Sequence, residues 1–105
     1  MTRARYGVNI GLVAGLALSW AGSATAQDYA ARSWAASCAS CHGTNGRSAG
    51  AVPSIAGRSK SDLLTILGEF KAGKRTAATI MHQYAAGYSD AELERIAEYF
   101  SRQPR

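Results

Sequence analysis

Two thiols and an imidazole stand together at Cys38-Ala39-Ser40-Cys41-His42. Cysteines at i and i+3 fall on one side of a helical turn, and a histidine next to the second falls close beneath them. Thiols spaced in this way can add to the two vinyl groups of a haem. The histidine then supplies one axial nitrogen to the iron, and C-x-x-C-H is the string that marks this attachment. Cys38 and Cys41 are therefore candidate covalent anchors for one haem c, and His42 is a candidate iron ligand. The same residues admit other chemistry. A thioredoxin-like redox pair needs a βαβ setting, which the pattern of the chain does not offer. A structural zinc site needs four ligands, and Cys38, Cys41, His42 and the distant His82 supply that number. A plain disulfide here would close a very short loop and restrict little chain entropy.

The second axial position has few candidates. Apart from Met1, Met81 is the only methionine, and His82 beside it is the only other histidine. Neighbours in sequence do not readily point at one iron together. A thioether opposite an imidazole is the usual ligand pair of an electron carrier, because it raises the potential. Met81 is therefore the expected sixth ligand. His82 and an open, five-coordinate iron remain as alternatives, and a core role beside Ile80 would also suit a methionine.

The chain that must hold these groups has 105 residues and a formal charge of +5. Its first 26 residues read as a secretory signal peptide. Arg3 and Arg5 make a positive start, Val8 to Trp20 is mostly apolar, and Ala24-Thr25-Ala26 is a small-x-small cleavage site. The apolar run is short for a membrane span, and there is no twin-arginine pair. Cleavage after Ala26 would leave residues 27–105 as one domain in the periplasm, with no membrane attachment. Loss of Arg3 and Arg5 lowers the charge to +3. So mild a basic balance, with no basic run and no aromatic–basic interleaving, excludes nucleic acid as a partner class. A domain this small carries few large apolar residues and needs a staple, which a covalent cofactor would provide.

Helix formers run from Asp28 to Ala39 and lead into the cysteines. Glycines 43, 46, 50 and 57 with Pro53 mark a loop. Leu63, Leu64, Leu67 and Phe70 lie on one face of a helix over 61–72, which Ser59 or Ser61 can cap and Gly73 can end. Lys71, Lys74 and Arg75 gather at its C-terminal end, as a docking patch or as a solvated helix end where the dipole favours cations. The stretch 76–87 holds at most a short helix. Ser89 and Glu92 form a capping box for a last helix whose buried stripe is Leu93, Ile96, Ala97 and Phe100, with Pro104 beyond its end. No strand alternation or repeat is visible. The fold class is all-α, three to four helices and loops around one haem.

These blocks together resemble a known family. Attachment near the start of the mature chain suits a class I cytochrome c. Cys-Ala-Ser-Cys-His-Gly-Thr-Asn-Gly from Cys38, Pro53-Ser-Ile-Ala, Gly68-Glu-Phe-Lys-Ala-Gly, Thr79-Ile-Met, Ala85-Ala-Gly-Tyr-Ser and Ala97-Glu-Tyr-Phe are similar to the cytochrome subunit of flavocytochrome c sulfide dehydrogenase. The resemblance covers nearly all of residues 27–105. It departs where that family often carries Arg-Ile-Ala-Lys after the methionine; this chain has Gln83-Tyr84-Ala85-Ala86. Some members carry two haem domains, and this chain has one. The resemblance implies that the Pro53 carbonyl accepts a hydrogen bond from the proximal histidine. It also implies that Trp34 packs on Tyr99 or Phe100 where the first and last helices cross. It further implies an electron-transfer subunit, not an enzyme on its own. The implied donor is an FAD-containing sulfide dehydrogenase subunit, and the implied acceptor another periplasmic cytochrome or an oxidase. The alternatives are a general shuttle for another dehydrogenase or terminal oxidase, and a five-coordinate haem peroxidase or gas sensor. The latter would want a distal acid–base pair that the sequence does not display.

Overall fold

Asp28 opens the first helix: its carboxylate accepts from the Ala31 N–H at 3.0 Å, satisfying one of the free donors of the first turn. The computed structural model describes Gly7 and residues 27–105. The leader and its cleavage site therefore lie outside the described residues. Helix α1 (Tyr29–His42) runs through both cysteines and ends at the histidine. A single 3₁₀ turn follows (Thr44–Gly46), then a loop without regular structure to α2 (Lys60–Lys71). Short α3 (Met81–Ala86) and α4 (Asp90–Ser101) complete the set. There is no strand among the described residues, so the all-α expectation holds.

Local chemistry accounts for most boundaries. Ser59, not Ser61, caps α2 by accepting from the Asp62 N–H, and the Ser61 hydroxyl hydrogen-bonds with that of Ser59. Gly73, at φ 71°, ends the helix. The Gly73 and Lys74 N–H groups donate to the Phe70 and Glu69 carbonyls, the paired bonds of a glycine-terminated helix. The Ser89–Glu92 capping box forms in both directions. By contrast, α3 begins at Ile80 with no side-chain cap.

Helices α1 and α2 both pack on α4, and α3 packs on α2. Ala35, Leu63, Leu93, Ile96, Ala97 and Phe100 form the buried centre, so the stripe expected on α4 is the core face. On α2 only Leu63 is buried; Leu64 and Leu67 pack on the centre half-covered. Five of the nine buried apolar residues among those described are alanines. Trp34 also packs on this centre, but its aromatic partner is Tyr88 at 6.4 Å between ring centroids, not Tyr99 or Phe100, which pair edge-to-face with each other. The outer face of Trp34 is covered instead by the Arg95 guanidinium at 4.7 Å, itself held in a two-pronged ion pair with Asp28.

Candidate functional site

The last turn of α1 carries Cys38, Cys41 and His42. No disulfide joins the two cysteines; Cys38 is half-buried and Cys41 exposed. Burial pushes the Cys38 thiol up. The helix stops at Gly43, whose φ of 83° sends the chain back beneath His42. A side chain there would meet the Arg47 carbonyl, so glycine is required for this turn. The returning loop is tied by one acceptor: the Gly46 carbonyl takes the N–H groups of Ile55 and Ala56 and the Ser54 hydroxyl.

That tie brings Pro53 to the histidine. Nδ1 of His42 lies 2.7 Å from the Pro53 carbonyl oxygen. A carbonyl only accepts, so Nδ1 carries a proton, and in the neutral ring this leaves the lone pair on Nε2. The expected second partner of the proximal histidine is thus in place. Such a bond fixes both the tautomer and the orientation of a metal-binding imidazole. At the other end of the loop, the Gly57 N–H donates to the Phe100 carbonyl at 2.9 Å, fastening it to α4.

Met81 is the first residue of α3 and is half-buried; His82 beside it is exposed. The two candidate axial ligands therefore come from α1 and α3, elements that pack on different neighbours. The residues present fit a haem. Two cysteines stand one helical turn apart on the helix of an imidazole with a free Nε2. Ile80, directly before Met81, is 44% exposed. The zinc alternative finds no support, since no metal-holding group of three or more His, Cys, Asp or Glu side chains occurs among the described residues. No helix among them is long and apolar enough to cross a membrane.

The cationic group at the end of α2 is mostly spoken for within the molecule. Lys71 pairs with Asp90 at 2.9 Å and Arg75 pairs with Glu69, which leaves Lys74 alone of the three without an acidic partner among the described residues. Two residues not singled out in the sequence also bear on the site. Ser37, next to Cys38, hydrogen-bonds with the Tyr88 hydroxyl at 3.1 Å. Asn45, three residues past His42, holds a positive φ of 54°. The Asn45-Gly46 pair is a turn signal that could have marked the second; nothing local marks a contact 51 residues away.

The cytochrome c family model matches residues 27–103. The chain is 50% identical over 64 residues to the cytochrome subunit of sulfide dehydrogenase of Chlorobaculum tepidum, covering 61% of this chain and 57% of that one. It is 35% identical over 95 residues to cytochrome c4 of Pseudomonas aeruginosa, covering 90% of this chain and 47% of the relative. It is 32% identical over 76 residues to cytochrome c-554(547) of Halothiobacillus neapolitanus, covering 63% and 84%. The chain thus spans about half the length of the first two. With the family model matched over residues 27–103, and with the C-x-x-C-H spacing at the end of α1, the chain belongs to the cytochrome c family, electron-transfer proteins with covalently bound haem c.

Proposed function

We propose that residues 27–105 form an exported, periplasmic electron carrier with one haem, held by Cys38 and Cys41 and ligated by His42 and Met81. The observation that carries this reading is the His42 Nδ1 to Pro53 bond at 2.7 Å, which frees Nε2 in the same turn as both thiols. When bound, the haem supplies a one-electron couple, and no substrate bond is made or broken. The chain's own residues set its conditions. Pro53 holds the imidazole in its metal-binding tautomer and raises its basicity. Met81 offers a thioether, which favours the reduced iron over a second imidazole.

The electron donor in this reading is the FAD-containing subunit of a sulfide dehydrogenase, by likeness to the Chlorobaculum tepidum cytochrome subunit. The acceptor is another periplasmic cytochrome or an oxidase. The leader is cleaved after Ala26, so the exported chain should begin at Gln27.

Ligation is tested by carbon monoxide binding to the reduced protein. The wild type should be closed to it, Met81→Ala open or rescued by His82, and Met81→Ala with His82→Ala open. Opening by His82→Ala alone, with Met81→Ala still closed, would make His82 the ligand. The donor is tested by mixing the haem-loaded chain with sulfide, with and without the flavoprotein. Reduction that does not depend on the flavoprotein would remove that partner.

A further inference from the structure

The segment bearing Met81 is weakly anchored where it starts. Helix α3 is six residues long, has no side-chain cap, and follows a stretch, 71–77, that is exposed throughout. Its described buried residue is Ala85 alone. The fixed point lies at its far end, on Tyr88, which sits between the C-cap of α3 (Gly87) and the N-cap of α4 (Ser89).

Three groups from two other helices converge on that residue. Lys71, the last residue of α2, donates to the Tyr88 carbonyl at 2.8 Å while pairing with Asp90. The Tyr88 ring stands against Trp34 of α1. The Tyr88 hydroxyl and the Ser37 hydroxyl are 3.1 Å apart, and Ser37 is itself fixed by donating to the Trp34 carbonyl at 2.8 Å. A hydroxyl has one proton and two lone pairs. With the Ser37 proton on Trp34, the Tyr88 hydroxyl donates to Ser37 Oγ.

We infer that Tyr88 and Ser37 form a positioning pair that holds the Met81 segment against the haem-attachment helix. Ser37 precedes Cys38, and Tyr88 lies seven residues after Met81. The bond therefore closes a ring through the two elements that supply the axial ligands, α1 and α3, whose main packing partners differ, α4 for α1 and α2 for α3. Without it, α3 retains its contact with α2 but loses a tie to α1, and its opening away from the iron becomes easier. This rests on the proposed ligation by Met81. The pair acts on how long the thioether stays in place, not on the iron directly.

Imidazole added to the oxidised, haem-loaded protein competes for the methionine's position, so its apparent affinity rises with the fraction of time the segment is open. Tyr88→Phe keeps the ring on Trp34 and the carbonyl on Lys71 and removes only the hydroxyl. It should raise imidazole affinity about two- to tenfold, the range expected for loss of one modest hydrogen bond. Ser37→Ala should do the same, and the double variant should match either single, since both remove one bond. Lys60→Ala removes ion pairs between α2 and α4 away from this contact, and should lower thermal stability without changing imidazole affinity. Wild-type affinity in both Tyr88→Phe and Ser37→Ala would overturn the assignment, as would an equal rise in Lys60→Ala. The long-wavelength band of methionine-ligated ferric haem separates the two readings. Its absence from the wild type removes Met81 as ligand, and this pair with it. Its presence beside unchanged affinities removes the pair alone.

Discussion

The Tyr99 hydroxyl donates to Oδ1 of Asn45 at 2.9 Å, so the last helix holds the residue standing three places beyond His42. Asn45 is the one non-glycine residue with positive φ among those described. Asparagine tolerates this region better than most residues, but the conformation still needs support. Tyr99→Phe removes the donor and leaves a part-buried amide oxygen unpaired. The expected loss is about 1 kcal/mol, seen as a fall in Tm of about 4–8 °C for a domain of this size.

Gly46 is tighter. It is buried at φ 81°, and a Cβ there would lie 2.7 Å from Ile55 and 2.8 Å from the Phe100 ring. Left-handed backbone and overpacking add, so Gly46→Ala should cost about 2–4 kcal/mol in denaturant unfolding. Gly50 has nothing within 4 Å. Gly50→Ala should stay within about 0.5 kcal/mol of wild type.

The covalent attachment has a chemical test. Cys38→Ala and Cys41→Ala should each leave at most one thioether link, and the double variant should release its haem to acid–acetone. Native protein that also gives up its haem to this solvent would contradict attachment through these residues.

Haem should also complete the core. Among the described residues no large side chain is fully buried, and a domain so small has little apolar area to close over. The haem-free chain should therefore show weak helicity by circular dichroism and no cooperative thermal transition. Full helicity with a sharp transition would show that the alanine-rich centre suffices.

Acid sensitivity should trace in part to Asp28. Its hydrogen bond from Arg95, with that from the Ala31 N–H, lowers its pKa from 3.8 to about 2. The folded value lies below the unfolded one, so the stabilisation is complete above pH 4 and is lost as pH falls towards about 2. Asp28→Asn keeps an effective helix cap and removes the charge. Its Tm should fall short of wild type at neutral pH, and the gap should close between about pH 4 and 2. The pair is exposed, so concentrated salt should narrow the gap as well. A gap that stays constant with pH would show that the charge of Asp28 is not its source, and no gap at any pH would leave Asp28 a capping role only.

Much of this was legible in the residues themselves. The Ser89–Glu92 box, the α4 stripe and the glycine end of α2 are set by chemistry within a few positions, and each appears as expected. The C-x-x-C-H turn and the Pro53 contact follow from a motif and a resemblance. What could not be read were the pairings across the fold. Lys71 and Arg75 look like a patch until Asp90 and Glu69 are seen beside them. Trp34 meets Tyr88 and Arg95, which lie 54 and 61 positions further along the chain, so no local spacing encodes the contacts. A short helix within 76–87 was legible, but α3 has no cap and a single buried residue, so nothing marked its start.

Ordinary mutational mapping is blind at five of the nine described buried apolar positions. Truncation scans work by shortening large side chains, and Ala31, Ala35, Ala56, Ala85 and Ala97 have nothing to shorten. Enlargement is the informative direction, because close-packed positions resist even one added methylene. The same asymmetry governs how the sequence can drift. These five positions can neither shrink nor swell, so neutral variation should gather on the outer faces of the helices, while the interior changes only through paired substitutions that conserve volume.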